Sequence, residues 1–125
     1  MSENEIAYLI RGAIFKIYNA LGPGLYENAY EAALVYELRK LGMTVAHQVH
    51  LPFEYEDVFL DVGYRIDLLV EDKVIVEVKS VEHLLPVHHK QLLTYLKLSK
   101  KKLGILVNFN TDDISKSIFR KVNGL

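Results

Sequence analysis

Tyr64-Arg-Ile-Asp-Leu-Leu-Val70 and Val74-Ile-Val-Glu-Val-Lys-Ser80 are two alternating stretches separated only by Glu71, Asp72 and Lys73. Alternation at period two marks a half-buried strand, and so short a connection makes the pair a hairpin. The apolar sets are Ile66, Leu68, Val70 and Val74, Val76, Val78. Burying both sets on one face fixes the register, because a slip of one residue turns one set outward. In that register Val70 pairs with Val74, and Asp67 lies opposite Glu77 with Cβ atoms about 5 Å apart on the second face. Lys79 stands two residues further along that face. Facing carboxylates repel unless a cation lies between them, so the pattern points to a divalent metal site with a lysine beside it. The alternative is a solvated charge ladder. Arg65 lies opposite Lys79 in this register, and diagonal surface pairs such as Asp67 with Lys79 are worth only ~0–1 kcal/mol each.

The flanking sequence supplies helices before the hairpin and a crossover after it. Ser2 and Glu5 form a capping box, and Ile6, Leu9, Ile10, Ala13, Ile14, Ile17 and Leu21 follow helical spacing up to the breaker Gly22-Pro23-Gly24. A second helix is expected from about Leu25 to Leu41, with Tyr30, Ala33, Leu34, Leu38 and Leu41 inward and Gly42 just past its end. Met43–His50, Leu51–Tyr55 and Val58–Val62 read as short strands, with a turn near Glu56-Asp57. Pro86 precedes a helix from about Val87 to Leu98, and Leu103–Phe109 reads as a buried strand. The tail from Thr111 to Leu125 fits a short helix followed by a strand. The early strands suit an antiparallel meander, and the helix from Val87 suits a crossover that returns Leu103–Phe109 parallel to an earlier strand. The expected fold class is α/β or α+β, with one central mixed sheet flanked by helices.

Composition bounds the function. The chain has 125 residues, half of them hydrophobic, which suits one domain with a real core. The formal charge of −1 gives no global pull toward nucleic acid, so such binding needs a local basic patch. There are no cysteines, which excludes disulfides, thiolate zinc sites and cysteine nucleophiles. No signal peptide is visible at Met1-Ser-Glu-Asn-Glu-Ile and no apolar run spans a membrane, so the expected location is the cytoplasm. The 8 Tyr and 5 Phe leave room for a homodimer face. No phosphate loop, nucleophile elbow or dinucleotide fingerprint is present.

Several residues outside the hairpin carry possible chemistry. Glu27 falls on the inward stripe of the second helix, in its first turn, where the helix dipole alone also favours a carboxylate. Gln91 and Tyr95 are four apart and share a helix face with His88. That face is either a polar helix edge or an edge that contacts phosphate or base beside the metal. Magnesium takes hard oxygen ligands and commonly only one or two protein carboxylates, a demand that Asp67 and Glu77 match. Lys90, Lys97, Lys100, Lys101 and Lys102, with Tyr64 and Tyr95 as stacking surfaces, form a candidate backbone-binding patch. Lysines closing a helix C-terminus explain part of that cluster equally well.

Asp67, followed after a short hairpin by Glu77-Val78-Lys79, resembles the PD-(D/E)XK nuclease signature. Gly24-Leu-Tyr-Glu27-Asn-Ala-Tyr30 is similar to the GxxExxY motif of a family of small prokaryotic proteins in that superfamily. Gln91-Leu-Leu-Thr-Tyr95 is similar to the QxxxY motif of its RecB-like branch. The resemblance covers nearly the whole chain, and its αβββαβ core matches the element order read above. One departure is Ile66, which stands where the signature has proline. The resemblance implies a Mg2+- or Mn2+-dependent nuclease acting on DNA. Asp67 and Glu77 would hold the metal, with Glu27 as the acid from the helix and Lys79 as the catalytic lysine. Gln91 would join them in the catalytic set, and Tyr30, His88 and Tyr95 would lie on the substrate side. The alternative is a non-catalytic nucleic-acid-binding or complex-forming module that keeps the nuclease fold.

Overall fold

The alternating hairpin forms the centre of a five-stranded sheet. The computed structural model describes residues 1–125. Helices α1 (Glu3–Leu21) and α2 (Glu27–Lys40) precede β1 (Val45–His50), a small hairpin β2 (Phe53–Tyr55) and β3 (Val58–Leu60), and the strands β4 (Arg65–Val70) and β5 (Val74–Lys79). Helix α3 (Pro86–Ser99), β6 (Leu103–Asn108), a 3-10 turn at Ile114–Lys116 and β7 (Ile118–Val122) complete the chain. The sheet order is β1-β4-β5-β6-β7. Only β5 and β6 run parallel, joined across α3, and every other pair is antiparallel. The α/β architecture, mixed sheet, crossover and helix-then-strand tail all agree with the sequence reading.

Local chemistry sets the element ends. Ser2 Oγ accepts from the Glu5 N–H and Glu5 Oε1 accepts from the Ser2 N–H, both at 3.1 Å, which starts α1. The breaker at Gly22 and Gly24 works through left-handed backbone, φ 66° and 107°. Two expected inward residues, Leu21 and Leu41, are instead exposed, because each sits at its helix end beyond the last turn that touches the sheet.

The sheet divides two cores of unequal size. The core between the sheet and α1 and α2 holds 22 buried residues, among them Leu68, Val70, Val74, Val76 and Val78, and the core between the sheet and α3 holds only seven. The larger core therefore carries most of the hydrophobic stabilisation. On the α3 side the approach is close: a Cβ on Gly104 would stand 2.7 Å from a Leu92 methyl.

The expected single-face burial fails at one residue. Ile66 packs with Leu51, Ile75, Leu92 and Tyr95 on the α3 face, while Leu68 and Val70 pack on the other. Its neighbour on β1 does likewise: Val45 lies in the larger core, whereas Val49 packs against the α3 cluster. Both strands change face at the level of Gln48 and Asp67. Gln48 has φ 54°, a left-handed value inside a strand. The hairpin register is as expected at Val70–Val74 and Leu68–Val76, and the regular pairing stops there.

Candidate active site

Beyond Leu68 and Val76 the hairpin is held together by its acids rather than by its ladder. Glu77 Oε2 accepts the Asp67 N–H at 2.8 Å, and Asp67 Oδ2 accepts the Val78 N–H at 2.9 Å. Each carboxylate thus takes a backbone donor on the opposite strand. Glu77 is 4% exposed, which rules out a solvated charge ladder. Burial, together with the negative charge of Asp67, pushes the Glu77 carboxyl up to about 9. Glu77 is therefore held protonated at neutral pH.

No three His, Asp or Glu side chains close into a ready-made metal cluster. The donor chemistry nevertheless fits a divalent cation. Two hard carboxylates share one confined place, and burial plus mutual repulsion keeps a proton on one of them. A cation there would take over the proton's work of relieving the repulsion. Asp67 and Glu77 are the residues that would hold it.

The remaining expected residues fall into two groups. Lys79 is half-buried and lies within electrostatic reach of both Glu77 and His88. The diagonal Asp67–Lys79 pair expected of a charge ladder does not form, and Lys79 has no ion-pair partner. Glu27 Oε1 accepts the Ser80 N–H at 3.2 Å, so α2 presents this acid at the end of β5, next to Lys79. Gln91 Nε2 donates to the Tyr95 hydroxyl at 3.0 Å. Burial first, then the charges of Glu77 and Asp67, push the Tyr95 phenol up, so it lies close to the acids and stays a neutral donor. Tyr64 meets Tyr95 with ring centroids 6.0 Å apart. Tyr64, Gln91, Tyr95, Lys90, Val87 and Thr94 line a cleft of about 290 Å³ beside the acids.

Tyr30 and the lysine patch depart from expectation, and His88 has a partner that the sequence did not show. Tyr30, placed on the substrate side from sequence, is fully buried and stacks on Phe109 at 4.1 Å. Its hydroxyl donates to the Gly22 carbonyl at 2.6 Å and accepts the Leu25 N–H at 3.2 Å. It has no surface left for a substrate and instead locks the loop that leads into Glu27. His88 Nδ1 accepts the Leu85 N–H at 3.0 Å and so serves as a helix cap, with its imidazole pushed down by burial and by Lys79. The lysine patch is divided. Lys90 lines the cleft, but Lys100, Lys101 and Lys102 lead into β6 at Leu103, beside Val74 and at the far end of the hairpin from Glu77. Lys101 there pairs with Asp72 at 3.1 Å.

Two residues were missed from sequence. Glu31, one turn after Glu27, is 5% exposed and receives His47 Nε2 at 2.9 Å and Gln48 Nε2 at 2.6 Å on the same oxygen. Gln48 Nε2 also reaches Asp67 Oδ1 at 3.3 Å. The i,i+4 relation to Glu27 on an inward stripe signals Glu31, whereas nothing in the sequence signals the turned backbone of Gln48. A larger cavity of about 520 Å³ between α1 and α2 holds one carboxylate, Glu37, already paired with Lys16 and Lys40, and offers no comparable chemistry.

A five-stranded mixed sheet with two acids and a lysine on its central hairpin defines a class. The family model of the PD-(D/E)XK nuclease superfamily matches residues 4–121, and the chain belongs to that superfamily. Among solved structures, the crystal structure of SSO0001 is similar at 23% identity and a TM-score of 0.57, covering 79% of this chain. The chain spans about half of that protein (51%), and at this identity the likeness is one of fold. No curated protein matches. No helix is long and apolar enough to cross a membrane.

Proposed function

We propose that the chain is a metal-dependent nuclease that hydrolyses phosphodiester bonds in DNA, in the GxxExxY group of its superfamily. The observation that carries this reading is the buried Glu77 facing the half-buried Asp67, with Glu77 held protonated. Burying an acid against a second carboxylate is costly, and acids perturbed in this way cluster where a cation or substrate is bound. Asp67 and Glu77 would hold Mg2+ or Mn2+, with Glu27 the third acid, directly or through water. The metal would supply a Lewis acid for the phosphate and a lowered pKa for attacking water. Lys79, free of ion pairs, is available to orient that water or to stabilise charge growing on the phosphoryl oxygens. Gln91 and Tyr95 present an amide and a phenol at the cleft wall, and Lys90 offers a phosphate contact.

The test is cleavage of single- and double-stranded DNA by purified protein with Mg2+ or Mn2+. Asp67→Ala and Lys79→Ala should each lower the rate by about 10²–10⁴-fold. Cleavage undiminished in both variants would mark a contaminant and end the nuclease assignment.

One observation favours a second reading. A formal charge of −1, with much of the lysine cluster turned away from the cleft, suits a non-catalytic nucleic-acid-binding or complex-forming module. DNA binding that is indifferent to metal and to Asp67 would select it. A cytoplasmic location is part of the proposal. So is a homodimer, for which the exposed Tyr8, Tyr26 and Tyr36 supply aromatic surface.

A further inference from the structure

Adjacent residues of a regular strand point to opposite faces, so they cannot both reach one atom on a neighbouring helix. His47 and Gln48 do reach one atom, Glu31 Oε1, at 2.9 and 2.6 Å. The left-handed backbone of Gln48, φ 54°, makes this possible. Its strand neighbours keep their regular partners, His47 with Leu68 and Val49 with Ile66. The irregularity is thus confined to the residue facing Asp67. Left-handed backbone suits glycine far better than glutamine, and such outliers persist where the surroundings impose them. Here the surroundings are two carboxylates. The Gln48 amide nitrogen lies between Glu31 Oε1 and Asp67 Oδ1, and donates to both. Asp67 Oδ2 is fixed separately by the Val78 N–H. Both oxygens of Asp67 are therefore oriented from outside, one by a backbone amide and the other by a side chain anchored on a buried acid.

We infer that Glu31 and Gln48 are positioning residues for Asp67: α2 clamps the Gln48 amide through Glu31, and the amide sets the rotation of the Asp67 carboxylate toward Glu77. This rests on the proposed metal site and names two residues through which that site is preorganised. Neither residue is placed as a ligand. Gln48 is exposed on an edge strand, so its substitution leaves both cores intact. Outer-shell partners of metal-ligating carboxylates commonly carry 10–100-fold in affinity.

The experiment is a calorimetric titration of Mn2+ into the wild type, Asp67→Ala, Gln48→Gly, Gln48→Asn, Glu31→Gln and the Glu31→Gln/Gln48→Gly pair, each with a metal-free melting curve. Gln48→Gly removes the amide while suiting the backbone. Its metal-free melting temperature should hold or rise, and its Mn2+ affinity should fall about 10–100-fold. Gln48→Asn tolerates left-handed backbone but is one methylene too short to bridge, and should lose affinity in the same range. Glu31→Gln should weaken binding, and its loss should not add to that of Gln48→Gly, since both act through one hydrogen bond. Wild-type affinity in Gln48→Gly or Gln48→Asn, or additive losses in the pair, would overturn the positioning role while leaving the metal site standing. Absence of binding in the wild type, or binding unaffected by Asp67→Ala, would overturn the metal site and the positioning role together.

Discussion

The two ends of the β4–β5 hairpin are built on opposite rules. At the turn end, Val70 faces Val74 in a regular ladder, both are fully buried, and Glu71 and Asp72 take the left-handed turn conformation. At the other end, Asp67 and Glu77 replace ladder bonds with carboxylate-to-backbone bonds, and β1 and β4 change face. One end keeps a regular ladder and confines its left-handed backbone to the turn; the other gathers a left-handed glutamine opposite Asp67, a buried protonated glutamate and a half-buried aspartate. Consistency across levels is what stability selects, and its local failure is expected where a site is built. The hairpin teaches that the acids are held in place by the regular end, at a cost to their own end.

The contrast can be broken or sharpened by substitution. Leu68 is the last regular residue before Asp67 and is fully buried. Leu68→Ala should cost about 2–5 kcal/mol in denaturant unfolding, through lost transfer energy and a cavity. A cost below ~1 kcal/mol would mean that the regular end does not anchor the sheet. Gly104 sits opposite Ile75 on the regular side, and the Leu92 side chain leaves no room for a methyl group. Gly104→Ala should cost about 1–3 kcal/mol by forcing α3 off β6, again by denaturant unfolding.

Glu77→Gln should act with the opposite sign. The folded chain raises the Glu77 carboxyl to about 9, above its ordinary value of 4.5. A raised acid contributes stability that is fully present below the ordinary value and is lost as pH climbs through the raised one. The metal-free protein should therefore lose stability between about pH 4.5 and pH 9. Glu77→Gln, with no charge to develop, should flatten that slope and stabilise the metal-free protein by about 0.5–2 kcal/mol at pH 8. Thermal melts across pH would read both effects, and a wild-type slope that survives the substitution would place its origin elsewhere. The smallest effect belongs to the surface. Lys16 bonds Glu37 at 2.9 Å but remains largely exposed, so Lys16→Ala should leave the denaturant midpoint close to that of the wild type.

The regular end was legible from sequence and the irregular end only in part. Alternation in Ile66–Val70 and Val74–Val78 gave the register correctly, because period-two patterning and a short turn leave one solution. The same alternation put Ile66 on the wrong face, since it assumes a strand that does not rotate. The rotation coincides with the Glu31–Gln48 contact between α2 and β1; the i,i+4 relation to Glu27 signals Glu31, but nothing local marks Gln48. Tyr30 was misplaced for a related reason. Its position on an inward stripe was clear, but a stripe does not distinguish a ring stacked on Phe109 from one facing a substrate. Glu27, Asp67, Glu77 and Lys79 could be singled out as candidates because each lies on an element whose period was readable. What joins them, Ser80, Val78 and Gln48, becomes visible only once the elements are packed.

The most direct measurement is the proton balance of metal binding. Mn2+ titrated into the wild type at pH 7, in buffers of differing ionisation enthalpy, should bind and release about one proton, the one held on Glu77. Glu77→Gln should bind far more weakly and release none. Binding without proton release, or equal binding in Glu77→Gln, would contradict the assignment of the Asp67–Glu77 pair as the metal site.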